Sequence, residues 1–166
     1  LLWVSCPNKL RSIWYYVNVW VIFIALITGR SDNAYLSLAA AFTFIPIYAF
    51  RTRQGIRRYV VLLATFLTSL KVIEWIATTY ADRVYQIDSL YNSLVSFSKL
   101  ILLIKVLWII AIILYLIDFI SKKADATVSP WFSRIWIGLI VIGFAAFLYV
   151  LYDVNIAGNA DQYGSA

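Results

Sequence analysis

The chain has 166 residues, of which 63% are hydrophobic and 13% are charged, and its net charge is +6. Soluble domains carry roughly 45–50% apolar and about 25% charged residues, so this composition predicts an integral membrane protein. The sequence contains no histidine and a single cysteine, Cys6. These counts exclude a His-ligated haem or metal site, a Ser-His-Asp triad and an internal disulfide, so we expect neither a metal nor a cofactor.

Five apolar runs approach the length of about 20 residues that a helix needs to cross the hydrocarbon core of a bilayer. In chain order the predicted spans are residues 12–28, 33–50, 59–80, 100–120 and 131–152. They predict an all-α fold, a polytopic transmembrane helical bundle. Pro46 inside the second span should kink that helix and free a backbone carbonyl one turn earlier. Because the chain opens inside an apolar run, we interpret residues 1–166 as a transmembrane helical segment of a larger protein.

Basic residues cluster at the ends of the apolar runs, and they predict the orientation of the chain. Residues 51–58, with the sequence RTRQGIRR, carry four arginines in what we interpret as one short cytoplasmic loop. With this loop inside, nine of the fourteen basic residues are cytoplasmic and the C-terminal end is exterior. The predicted location is therefore the cytoplasmic membrane, and the scattered positive charge does not indicate nucleic-acid binding.

Residues 81–99, on the predicted exterior side, show apolar side chains at helical spacing opposite polar ones. This pattern predicts an amphipathic helix that rests on the outer surface or continues into the fourth span. A stabilising arm and a lip for a substrate are both consistent with it.

Three charged residues are predicted to lie inside the bilayer. Lys71 and Glu74 occupy one face of the third span, and Lys105 lies at a similar depth in the fourth. The cluster is expected either to lock helices together through a Glu74–Lys105 pair, or to line an anion-binding cavity with its spare positive charge. Asp118, near the inner end of the fourth span, is interpreted as an interfacial residue.

The stretch ITGRSDNAYLSL, residues 27–38, separates the first two spans. Gly29 is a suitable end for one helix, and Asp32 is a suitable start for the next. Arg30 would then lie at the outer edge of the bilayer beside a helix N-terminus, an arrangement that attracts phosphate. Local neutralisation of Arg30 by Asp32 is the alternative.

The run from Arg30 to Leu38, a polar turn followed by Ala-Tyr-Leu-Ser-Leu, resembles a signature of the O-antigen ligase and polymerase family. The resemblance implies a bacterial membrane enzyme that transfers glycans from undecaprenyl diphosphate on the exterior face. It also implies that Arg30, Arg83, Lys71 and Lys105 bind the lipid diphosphate. The catalytic loop would then lie beyond Ala166, and no catalytic residue is assigned.

Two other functions remain open at this stage. In a secondary transporter or flippase, the Lys71, Glu74 and Lys105 cluster would form the coupling or substrate site. In a structural membrane subunit, the same cluster would only hold the helices together. Few Gly or Pro residues interrupt the spans, which is unlike the discontinuous helices of many transporters.

Overall fold

A computed structural model describes residues 8–29, 31–80, 89–121, 128 and 130–155 of the chain. The regular elements in these ranges are six helices, and the predicted all-α fold is confirmed. In chain order they are α1 (Lys9–Thr28), α2 (Asp32–Ala49), α3 (Arg53–Thr79), α4 (Ser89–Val95), α5 (Leu100–Ser121) and α6 (Trp131–Asn155).

Four of these helices are long and apolar enough to cross a membrane. The qualifying segments are Leu10–Thr28, Arg53–Thr79, Leu100–Ile120 and Trp131–Val154. These segments correspond to four of the five predicted spans. Their length and composition are those of a multi-pass membrane protein. The segment predicted as the second span forms a shorter apolar helix, Asn33–Ala49, because the chain turns again directly after α2.

Two helices begin earlier in the chain than the predicted spans, and each has a capping residue at its observed start. Asn8 caps α1, and its side-chain oxygen accepts hydrogen bonds from two backbone N–H groups of the first turn at 3.0 and 3.4 Å. Thr52 caps α3 by accepting a hydrogen bond from the N–H of Gly55 at 3.0 Å. The predicted loop over residues 51–58 is therefore wrong in form, because α3 begins at Arg53 and includes most of it.

The central element of the bundle is α3, which packs against α1, α2, α4 and α5, whereas α6 packs against α2. Aromatic rings fill the core between the first three helices. Phe23 of α1 meets Phe66 of α3 with ring centroids 5.4 Å apart, and Phe42 of α2 meets the same ring at 5.5 Å. Ring pairs of this geometry stabilise beyond the area they bury, which explains why three apolar helices hold one arrangement within lipid.

A close approach between the end of α2 and the start of α3 requires glycine. A Cβ atom at Gly55 would collide with the backbone carbonyl of Ala49. By contrast, Gly138 and Gly143 of α6 have open space around the position of a Cβ atom. The glycine at position 55 therefore determines how closely α2 and α3 join.

The backbone carbonyl that Pro46 leaves free is occupied by a side chain from another helix. Pro46 has no N–H to donate to the carbonyl of Phe42, four residues earlier. The hydroxyl of Tyr59 on α3 donates to that oxygen instead, at 2.8 Å. One residue along, the indole N–H of Trp136 on α6 donates to the carbonyl of Thr43 at 2.8 Å. The proline thus frees one acceptor, the carbonyl of Phe42, which joins α2 to α3.

Most of the surface of α5 and α6 is apolar. In the most apolar 18-residue window of α6 no residue is buried, and in that of α5 only 11% are. Large side chains such as Phe119 and Ile142 are 83% and 67% exposed. Such faces are stable only against lipid or another apolar surface.

Candidate functional site

Of the four residues predicted to bind a lipid diphosphate, Lys71 and Lys105 lie in the described part of the chain. Arg30 and Arg83 lie outside the described residues. Lys71 and Glu74 form an ion pair within α3, with Nζ and Oε2 2.5 Å apart. Lys105 is exposed on α5, and neither of the two ion pairs found among the described residues includes it. The arrangement differs from the predicted Glu74–Lys105 pair because the partner one turn away on the same helix is within easier reach.

The short helix α4 covers this ion pair. The Lys71 ammonium lies 3.5 Å from the carbonyl oxygen of Val95, the last residue of α4. Tyr91 is buried against α3, and its hydroxyl donates to the carbonyl of Leu70 at 3.4 Å. Burial raises the pKa of Tyr91 to about 12, and the negative charge of Glu74 acts in the same direction.

The amphipathic pattern predicted over residues 81–99 is thus present in α4, but with a different partner. Residues 81–88 lie outside the described part of the chain, and the helix itself covers Ser89–Val95. Its apolar side packs against α3, where Tyr91 is buried, while Asn92 and Ser93 are exposed. The helix therefore belongs to the bundle and is not a separate surface helix over these residues.

At the other end of the bundle, α3 and α5 are joined by a buried ion pair that the sequence reading missed. The Nη1 atom of Arg57 and the Oδ2 atom of Asp118 are 2.7 Å apart, and their side chains are only 12% and 6% exposed. The Arg57 guanidinium also lies 4.1 Å from the centroid of the Tyr115 ring. Asp118, which was predicted to be an interfacial residue near the inner end of its span, therefore also faces α3 and pairs with Arg57.

A sequence signal for this pair existed, but it was weak. Asp118 stands within an apolar run, and Arg57 stands at the start of the preceding long run, 61 positions away. We assigned Arg57 to the four-arginine topology signal and Asp118 to the neighbouring lysines. Only the packing of α3 against α5 shows that the two side chains meet.

The ion pair borders a cavity of about 600 Å³ between α1, α3 and α5, which we call the arginine cavity. Its principal lining residues are Ser12, Tyr16, Arg57, Arg58, Trp108 and Tyr115. Arg58, like Arg57, is largely buried, with 7% of its surface exposed. The cavity combines two guanidinium groups with aromatic and apolar walls, a composition typical of sites for small ligands.

One donor of the cavity has no acceptor within the described part of the chain. The Nε atom of Arg57 is buried and makes no hydrogen bond there. A buried unpaired donor costs about 1–3 kcal/mol, and more when it belongs to a charged group. Guanidinium donors form a planar fork that matches phosphate and carboxylate oxygens. An anionic acceptor beside the ion pair would therefore satisfy the Nε donor that the described residues leave unpaired.

Two interhelical hydrogen bonds separate the cavity from the middle of the bundle. The hydroxyls of Tyr16 and Thr65 are 2.8 Å apart, joining α1 to α3. The indole N–H of Trp108 donates to the hydroxyl of Thr68 at 3.1 Å, joining α5 to α3. Polar contacts of this kind contribute about 0.6 kcal/mol on average, and up to about 1.7, between membrane helices.

Within the described ranges no three His, Cys, Asp or Glu side chains come together in a group that could hold a metal ion. Comparison of the chain with protein-family models, with curated proteins and with solved structures found no match. The arginine cavity and the surface of α3 are therefore the features of the chain that bear on its function.

Proposed function

We propose that this multi-pass membrane protein binds an amphiphile with an anionic headgroup, and that the headgroup occupies the arginine cavity. The observation that carries the proposal is the unpaired Nε donor of Arg57 in a cavity that also contains Arg58. A phosphate or carboxylate oxygen would satisfy this donor while Asp118 keeps its bond to Nη1. The headgroup would thus bind Arg57 beside Asp118 without displacing it.

The surroundings of the cavity favour a lipid over a water-soluble anion. Large apolar side chains are exposed on α1 and α5 beside the cavity, including Ile13 at 65% and Ile112 at 56%. A hydrocarbon chain can lie along these faces while its headgroup contacts the arginines. Basic pockets between membrane helices are a known way of holding anionic lipid headgroups. If the arginine-rich end faces the cytoplasm, as its sequence predicts, the lipid comes from the inner leaflet.

The narrower function that the sequence suggests, transfer of a glycan from undecaprenyl diphosphate on the exterior face, stays a second proposal. Its support is the resemblance of residues 30–38 to the O-antigen ligase and polymerase signature. It predicts that replacing Arg30 by Ala weakens binding of undecaprenyl diphosphate. If this exchange changes only the stability of the helices, the stretch is a turn with no ligand.

The headgroup proposal is tested by lipid binding to the detergent-solubilised chain. Native mass spectrometry would compare phosphatidylglycerol, which is anionic, with phosphatidylcholine, which has no net charge. The informative variant is Arg57→Lys, because lysine keeps the charge opposite Asp118 but has no Nε donor or planar fork. A hydrogen bond to a charged group contributes about 1.5–3 kcal/mol, so we expect binding of phosphatidylglycerol to weaken about tenfold or more.

The matched control is Arg53→Gln, which removes an exposed arginine from the same end of α3. It should leave the preference for phosphatidylglycerol nearly unchanged, because exposed charges are screened by water and salt. If Arg57→Lys and Arg53→Gln weakened phosphatidylglycerol binding equally, binding would follow overall positive charge. Equal binding of the two lipids by the unmodified chain would also contradict a headgroup site in the cavity.

A further inference from the structure

The polar residues of α3 do not stop at the arginine cavity. Beyond it, Thr65, Thr68, Lys71 and Glu74 follow one another at intervals of three residues. Residues at this spacing form a ridge that winds around a helix, so the row passes from α1 at Thr65 to α5 at Thr68 and to the end of α4 at Lys71. We call these four residues the polar row.

The polar row and the arginine cavity together cover most of the thickness of a bilayer. From Arg57 to Glu74 is 17 residues, which at 1.5 Å per residue is roughly 26 Å. The hydrocarbon core measures about 30 Å. Polar groups inside a bilayer are costly and normally face a partner, the bundle interior or a watery cavity.

The helices beside this ridge leave room for a path. Both α1 and α5 pack on α3, but they hardly touch each other. In the gap between them lies the arginine cavity, with Tyr16 of α1 and Trp108 of α5 among its lining residues. These two side chains bond to Thr65 and Thr68, the first two members of the polar row. Tyr16 and Trp108 thus belong both to the lining of the cavity and to the hydrogen-bond partners of the row.

At its far end the polar row reaches a second positive charge. Lys71 is paired with Glu74 and lies under the C-terminal end of α4. The Lys71 and Glu74 side chains are 26% and 35% exposed, so both remain accessible. An anionic group that advanced from Arg57 along the hydroxyls of the row would meet the Lys71 ammonium next.

We propose that the chain moves anionic lipid headgroups between the two leaflets, along a path from the arginine cavity over the polar row to Lys71. The hydrocarbon tail stays in the bilayer throughout. In the present structure the path is closed, and opening it breaks the Tyr16–Thr65 and Trp108–Thr68 hydrogen bonds. The inference rests on the headgroup site proposed above, which supplies the entrance.

The experiment reconstitutes the full chain in phosphatidylcholine vesicles that contain a small fraction of fluorescently labelled phosphatidylglycerol. Dithionite, added outside, bleaches only the label that reaches the outer leaflet. We expect protein-free vesicles to lose only the outer-leaflet label, whereas vesicles with protein also lose the label that starts in the inner leaflet. The variant Tyr16→Phe, which removes the hydrogen bond between α1 and Thr65, should increase the rate of this inner-leaflet loss.

The decisive variant removes the charges at the far end of the path. Lys71→Met combined with Glu74→Gln avoids leaving either charge unpaired in the membrane. We expect it to slow translocation about tenfold or more, because an anionic headgroup then crosses without a countercharge. Its binding of phosphatidylglycerol in detergent should stay unchanged, which also shows that the variant is folded. Gly143→Ala, in open space on α6, should behave like the unmodified chain.

The outcomes separate this inference from the proposed function. Binding of phosphatidylglycerol without any translocation above protein-free vesicles would overturn the path and leave the headgroup site standing. An unchanged rate in the Lys71 and Glu74 variant would likewise overturn the path. Absence of both binding and translocation would overturn the two proposals together.

Discussion

The buried ion pair between α3 and α5 offers the sharpest test of the structure. Replacing Asp118 by Asn removes the negative charge and leaves the Arg57 guanidinium, 12% exposed, without its countercharge. Breaking a buried pair by removing one partner typically costs about 3–5 kcal/mol. The stacking of Arg57 on Tyr115 and the adjoining cavity both allow some relaxation, so we expect a loss near the lower end, about 3 kcal/mol.

The loss should be measured by reversible unfolding in mixed micelles, followed by tryptophan fluorescence. Replacing both partners, Arg57→Met with Asp118→Leu, should bring the stability back to within about 1 kcal/mol of the unmodified chain, because no unpaired charge then remains. Arg53→Gln, which removes an exposed charge at the same end of α3, should change it by no more than about 0.5 kcal/mol. If Asp118→Asn were as stable as Arg53→Gln, the burial of the pair and the packing of α3 against α5 would both be refuted.

The same variant connects stability to the proposed ligand. An anion in the cavity supplies the countercharge that Asp118→Asn lacks, so phosphatidylglycerol should stabilise this variant more than the unmodified chain. At a free lipid concentration of one hundred times its dissociation constant the gain is about 2.7 kcal/mol. Equal stabilisation by phosphatidylcholine would contradict binding of an anionic headgroup beside Arg57.

Three further predictions concern packing and ionisation. Gly55→Ala should destabilise the chain by more than about 1 kcal/mol because of the backbone collision, whereas Gly143→Ala should have almost no effect; both are measured by the same unfolding assay. Tyr59→Phe should lower the free energy of unfolding by about 1 kcal/mol. When Pro46 is also replaced by Ala, the Tyr59→Phe exchange should cost distinctly less, because the carbonyl of Phe42 then regains a backbone donor. Additive losses of stability in the double variant would contradict this. The pKa of Tyr91 is about 12 in the folded chain and 10 in the unfolded chain, so the free energy of unfolding should be unaffected below pH 10 and fall as the pH rises from 10 to 12. This fall should be smaller in Tyr91→Phe, and an equal fall in the variant would contradict the raised pKa.

Composition and spacing were sufficient for the fold class and for the main apolar helices. Long, mostly apolar runs predict helices in a bilayer, so α1, α3, α5 and α6 follow from the sequence, although α3 begins six residues earlier than predicted. The carbonyl freed by Pro46 could also be foreseen, since it follows from the missing N–H of proline. Its partner Tyr59 could not, because a free acceptor does not specify which of several neighbouring donors will reach it.

Charge positions were readable from the sequence, but charge partners were not. Residues close in sequence are neighbours by helix geometry alone, which is why Lys71 and Glu74 were placed on one face. Arg57 and Asp118 are neighbours only because α3 and α5 pack in one particular register and rotation. Many registers bury similar apolar area between two uniform hydrophobic helices, so the sequence of either helix alone does not select one. In the tertiary structure, the side chains packed between α3 and α5 select one register. That register also determines the arginine cavity and the position of the polar row.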